Sequence, residues 1–134
     1  MEQAAEYPPV GVPEIDRDHL DLSACLRRLL DAVKDDDRVR ALALAEALVE
    51  RARAHFALEE QRMREIAFVF FARHKRTHDR FLEEAERHLE ELRAFGLNSR
   101  CLRWTAETME WFRSHVLTED MALGRALISS MRVG

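Results

Sequence analysis

The sequence predicts an all-α protein: an antiparallel, up-down-up-down four-helix bundle with an N-terminal arm. Three observations carry this expectation. Glycine and proline are scarce, four and three in 134 residues, which disfavours loop-rich and β-rich folds. Apolar residues recur in alternating steps of four and three along four long segments, the period of a helix with one buried face. The connections between these segments are short, so neighbouring helices must run antiparallel.

The length suits one domain over residues 1–134 with one core. Residues 1–15 form the arm, which holds Tyr7, Pro8, Pro9, Gly11 and Pro13; its prolines forbid a regular helix. A first helix is expected over about 16–34, with Asp16 as its N-cap and a stripe of Ile15, His19, Leu22, Leu26, Leu29 and Val33. Lys34-Asp35-Asp36-Asp37 interrupts the stripe as a polar turn. A second helix over about 39–66 aligns Ala41, Ala45, Leu48, Ala52, His55, Glu59 and Met63, flanked by Leu42, Val49 and Phe56. A third, about 71–94, aligns His74, His78, Phe81, Ala85, His88 and Leu92, and Gly96 is its stop. Asn98 or Ser99 caps a fourth helix, about 99–128, whose inner face reads Cys101, Trp104, Thr108, Trp111 and His115.

Charge and composition exclude several classes. The net charge is −4 with no block of one sign, whereas a nucleic-acid binder needs a basic stripe. The longest apolar run, Ile66 to Ala72, is far too short to span a bilayer. The acidic start has no apolar region of a signal peptide. Two cysteines, Cys25 and Cys101, make no disulfide framework. The expected location is the cytoplasm.

Five of the six histidines fall on inward stripes: His19, His55, His74, His78 and His115. Glu59 follows His55 by four, and Asp120 follows His115 by five. Residues four apart share a helix face, so His55/Glu59 and His74/His78 each present two side chains together. His19 begins helix 1, His55 and Glu59 end helix 2, His74 and His78 begin helix 3, and His115 ends helix 4. In an up-down-up-down bundle all of these lie at one end. Burying so many polar groups without partners would cost several kcal/mol, and a metal centre satisfies all of them. Imidazole with carboxylate suits iron, manganese or zinc. The five-residue step from His115 to Asp120 turns an ideal helix by about 140°, so both face the core only if the helix ends, bulges or tightens between them.

Two six-coordinate metals offer twelve positions. Five imidazoles, two bridging carboxylates and one bridging oxo or hydroxo group take eleven and leave one open. An open position marks a reactive metal site rather than a structural one.

The segments Gly11-Val12-Pro13-Glu14-Ile15-Asp16-Arg17-Asp18-His19, His55-Phe56-Ala57-Leu58-Glu59-Glu60 with Met63, His74-x-x-x-His78 and His115-x-x-x-x-Asp120 resemble hemerythrin in its bacterial single-domain form, over about residues 7–125. The resemblance implies two iron ions with a bridging oxo or hydroxo group. His74, His78 and His115 would hold one iron, His19 and His55 the other, and Glu59 and Asp120 would bridge them. It implies molecular oxygen as the partner, bound reversibly beside His19 and His55 for transport, storage or delivery; nitric oxide and other small anions are further candidates. Leu22, Phe56, Trp111 and Leu117 would line the oxygen pocket and exclude water. The sequence departs from the family in two places: the family usually has a Trp in the arm, where Tyr7 is the nearest aromatic here, and Ile66-Ala67-Phe68-Val69-Phe70-Phe71 replaces a Gly-Tyr-Pro-like turn. That turn is expected to be helical or 3₁₀, packing across the bundle end or forming an apolar patch for a protein partner or second copy. A monomer or weak homo-oligomer is expected.

Other polar residues are not promoted. His88 lies ~15 Å along the helix from His78 and is assigned a structural role. Glu60 points about 100° away from Glu59, toward solvent or the periphery of the site. Cys25 and Cys101 read as small buried hydrophobes, with a redox pair as the alternative. No acid or base outside the ligand set points to turnover, so a binding protein is favoured over an enzyme. The rival readings are a di-iron peroxidase or nitric-oxide-reducing enzyme, a redox or oxygen sensor acting through a partner, and metal handling.

Overall fold

The computed structural model describes residues 8–133, with side chains through Met131; Tyr7 lies outside the described residues. Four long helical runs form the bundle. Helix α1 spans Pro13–Lys34, α2 Arg38–Glu65 and α3 Phe71–Phe95; the fourth run is α4, Ser99–His115, continued through a π turn, Val116–Asp120, into α5, Met121–Val133. Packing is closest between α1 and α2, α2 and α3, and α1 and α4. The core is a column of buried aliphatic residues, among them Ile15, Leu26, Leu29, Leu48, Ala52 and Met63.

The first helix starts earlier than expected, and Asp16 is not its cap. Pro13 occupies the first turn, where its missing N–H is not needed and its fixed φ suits the helix. The Asp16 carboxylate instead accepts hydrogen bonds from the amides of Val10 (2.7 Å) and Gly11 (3.2 Å), tying the arm to α1. The arm then crosses α5. A Cβ on Gly124 would lie 2.4 Å from the Val10 carbonyl oxygen, so only glycine permits the crossing.

Helix ends follow local chemistry. Asp37 caps α2 by accepting from the Arg40 amide, and Asn98 caps α4 by accepting from the amides of Arg100 and Cys101. Gly96, with φ 78°, ends α3. The α2–α3 turn is neither helical nor 3₁₀. The Phe68 amide donates to the Met63 carbonyl and the Ala67 amide to the Arg64 carbonyl, the paired pattern of a helix ending in a left-handed residue. Ala67 supplies that residue, with φ 51°. Phe68 and Phe71 pack partly inward, while Val69 and Phe70 are exposed.

The inner face of α4 also differs. Its buried residues are Thr105, Thr108, Phe112 and His115; Cys101, Trp104 and Trp111 are half-buried on the flank. On α1, Cys25 and Ala32 are buried and Val33 is peripheral.

Candidate metal centre

His19, His55, Glu59, His74, His78, His115 and Asp120 are all buried and meet in one layer. Helix direction brings them there: the start of α1, the end of α2, the start of α3 and the end of α4 lie at the same end of the bundle. The step from His115 to Asp120 is resolved by the π turn at Val116–Asp120. Its wider i→i+5 turn absorbs the extra residue, leaving His115 Nε2 3.2 Å from Asp120 Oδ1.

Each carboxylate divides its oxygens between two groups of imidazoles. Glu59 Oε2 faces His55 Nε2 at 2.8 Å and His19 Nε2 at 3.5 Å. Its other oxygen, Oε1, faces His78 Nε2 at 3.1 Å and His74 Nε2 at 3.4 Å. Asp120 repeats the division: Oδ2 lies 2.9 Å from His19 Nε2, and Oδ1 lies 3.0 Å from His74 Nε2. Two sets of donors result, Glu59, His74, His78, His115 and Asp120 in one and His19, His55, Glu59 and Asp120 in the other. Within each set the ligand atoms lie within 4.8 Å of one another, and each set could hold a metal ion.

The donors fit a metal better than they fit each other. Despite the short separations, the Nε2 atoms of His19, His55, His78 and His115 and both oxygens of Glu59 lack aligned hydrogen-bond partners. Buried polar atoms are rarely left so. Nitrogen lone pairs and carboxylate oxygens converging on common points satisfy a cation at those points.

Electrostatics point the same way. Burial disfavours the imidazolium form, yet Glu59, Asp18 and Asp120 together outweigh it at His55 and raise its pKa to about 10. Burial is likewise overcome by Asp120 and Glu59 at His74, raised to about 9, and by Asp120 above all at His115, raised to about 10. His19 is raised against burial by Asp120 and Glu59. Glu59 stays ionised well below the usual carboxylate range: burial opposes this, and His55 and the other imidazoles overcome it. Asp120 is depressed too, with His115 and His19 outweighing burial and the nearby Glu59 charge. Two anions in a buried layer thus demand compensating cations.

A ring of outer carboxylates surrounds the donors. His55 Nδ1 donates to Asp18 (3.1 Å) and His78 Nδ1 to Glu60 (2.9 Å); Glu119 lies 3.8 Å from His115 Nδ1. An ionised carboxylate only accepts, so at His55 and His78 Nδ1 donates outward and Nε2 is the nitrogen turned to the centre. Glu60 therefore lies at the periphery, as its angular offset from Glu59 implies. Asp18 and Glu119 were not singled out from sequence, although each adjoins a donor in the chain.

The four apolar residues expected around an oxygen pocket separate. Leu22 and Phe56, with Phe112, line a small void of about 10 Å³ beside the centre. Phe56 stacks on His78 at 3.9 Å, and Phe112 meets His19 edge-on at 5.7 Å. Trp111 lies instead on the outer side, stacked on His115 at 5.0 Å. Leu117 is 41% exposed in the π turn and does not line the void. Phe112 escapes the sequence pattern because the inner stripe of α4 follows Trp104 and Trp111 there, whereas Thr105 and Phe112 are the buried neighbours. His88 lies away from the centre, its ring against Trp104 at 4.4 Å. Cys25 is buried and Cys101 half-buried, and both are free thiols.

No helix among the described residues is long and apolar enough to cross a membrane. The model of the hemerythrin HHE cation binding domain matches residues 10–127. A curated relative, the bacteriohemerythrin of Stenotrophomonas maltophilia (strain R551-3), is 27% identical over 113 residues, 84% of this chain and 72% of that one. The crystal structure of wild-type hemerythrin superimposes with a TM-score of 0.84 at 22% identity, covering 95% of this chain and 97% of that one. A leucine-to-tyrosine variant of hemerythrin gives the same TM-score over 95% and 96%. With its four-helix bundle, its buried donor layer and a family match across nearly all its length, the chain belongs to the hemerythrin family.

Proposed function

We propose that this chain binds molecular oxygen reversibly at a carboxylate-bridged pair of iron ions, for transport, storage or delivery, and is not itself an enzyme. The observation that carries this reading is the division of Glu59 and Asp120, each with one oxygen toward His19 or His55 and the other toward His74, His78 or His115. In the proposed assignment His74, His78 and His115 hold one iron, His19 and His55 the other, and the two carboxylates span both. The iron pair, when reduced, supplies electrons and an open coordination position for oxygen.

The remaining work falls to the chain. Asp18 and Glu60 hold the Nδ1 protons of His55 and His78, fixing the rings with Nε2 inward. Phe112 against His19 and Phe56 between His55 and His78 provide an apolar boundary with Leu22, which excludes water and slows oxidation of a reduced centre. The donor set is rich in histidine. Di-iron bundles that activate oxygen use more carboxylate, with paired Glu-x-x-His motifs, and no such pair occurs here.

The deciding experiment is a visible spectrum of the anaerobically reduced, iron-loaded protein, taken before oxygen, after oxygen and after purging. A band that appears with oxygen and disappears on purging is expected. Immediate irreversible oxidation would replace reversible binding with a redox-enzyme or sensor function, and absence of any iron-dependent spectrum would overturn the di-iron assignment.

A further inference from the structure

Between α3 and α4 runs an open groove of about 420 Å³, within the roughly 300–1,000 Å³ range of small-molecule sites. Both tryptophans of the chain, Trp104 and Trp111, line it. Phe81 extends this wall, its ring stacked on Trp111 at 5.0 Å with only 10° between planes. The α3 side supplies Arg73, Arg76 and Arg80, whose spacing of three and four sets them one above another along a helix edge. Among the described residues neither the Arg76 nor the Arg80 side chain has an ion pair or hydrogen bond. The polarity reverses along the groove, with Glu84 and Glu107 toward its other end.

Each part selects a chemical group. Guanidinium forks in a row match phosphate oxygens. The half-buried rings of Trp104, Trp111 and Phe81 at the middle give a planar apolar group a ring-lined wall to pack along. Carboxylates at the far end accept hydrogen bonds from hydroxyl or amino groups. An acidic protein would meet the arginines but be repelled by Glu84 and Glu107, while a simple anion would leave the aromatic wall unused. We propose that the α3–α4 groove binds an aromatic phosphate of the nucleotide or flavin mononucleotide class, with the phosphate on the arginine row and the ring against Trp111 and Trp104. Trp111 is also stacked on His115 at 5.0 Å and 12°, so an occupant reaches the metal centre through a single side chain.

Because the only two tryptophans lie in this groove, their fluorescence reports its occupancy when the titration is run at fixed metal content, since Trp111 also stacks on His115. The test titrates the purified protein with adenosine monophosphate, flavin mononucleotide and inorganic phosphate, with calorimetry as a second readout. Saturable binding of either aromatic phosphate at least tenfold tighter than inorganic phosphate is expected, weakened at least tenfold in the double variant Arg76→Ala/Arg80→Ala. Preference for one aromatic phosphate over the other identifies the source. Failure of both to bind, affinity no better than inorganic phosphate, or unchanged affinity in a helical, folded double variant would each overturn the proposal. Oxygen binding would be untouched by that failure, since its spectral readout is separate.

Discussion

Glu59 sends Oε2 toward His19 and His55 and Oε1 toward His74 and His78. A glutamine there keeps the shape but turns one oxygen into an amide that donates and cannot ligate. If the chain holds the proposed iron pair, iron content measured by plasma emission should fall in Glu59→Gln from two per chain to one or fewer, with helical circular dichroism retained. Retention of two irons would mean that Asp120 alone joins the pair. Glu60 acts through another residue, orienting His78 from Nδ1. Glu60→Ala, which removes the acceptor, should therefore weaken metal affinity by roughly 10–100-fold in chelator competition. An unchanged affinity would show that stacking on Phe56 suffices to hold the ring. The convergence of the seven candidate donors in one buried layer was legible in the sequence, because residue type, spacing and helix order bring them to one end. Asp18 and Glu119 were not, because an outer carboxylate looks like any solvated acid until its facing helix is placed.

At the scale of the element, two helix features carry testable consequences. Ala67 holds a left-handed conformation at the end of α2, a cost that glycine removes. Ala67→Gly should raise stability by about 0.5–1 kcal/mol in urea unfolding, and a loss would show that the turn is held in another conformation. Gly124 admits the arm across α5. A methyl group there meets backbone rather than a flexible side chain, so Gly124→Ala should cost roughly 1–3 kcal/mol, and unaltered unfolding would mean that the arm does not pack there. Helix existence was readable from the four-and-three periodicity. The left-handed turn was not, because Ala67 carries none of the Gly or Asn chemistry that announces it. The five-residue step to Asp120 was recognised as incompatible with a regular helix, and its resolution as a π turn depends on what the surrounding core requires.

For the molecule as a whole, alternating helix direction is what turns scattered histidines into one centre, and this followed from element order alone. Rotation of each helix about its axis did not: on α4 the buried stripe passes through Phe112, a shift that only packing against α1 and α3 decides. The assembled layer also sets how stability must respond to pH. Without metal, His55, His74 and His115 titrate near 10, 9 and 10 in the folded state, against an ordinary value of 6.5. Between 6.5 and those values the folded chain binds more protons than the unfolded one, so its stability must fall as pH rises. The contribution is complete below about pH 6.5 and lost on passing through about 9–10. Metal at the Nε2 positions displaces those protons and supplies the positive charge itself. The urea midpoint of chelator-treated protein should thus decline from pH 6.5 to 10, while iron-loaded protein should show little slope over that window. Parallel slopes in the two forms would mean that the buried carboxylates are not compensated first by protons and then by metal. That would remove the electrostatic reason for seven polar side chains to share one dry layer.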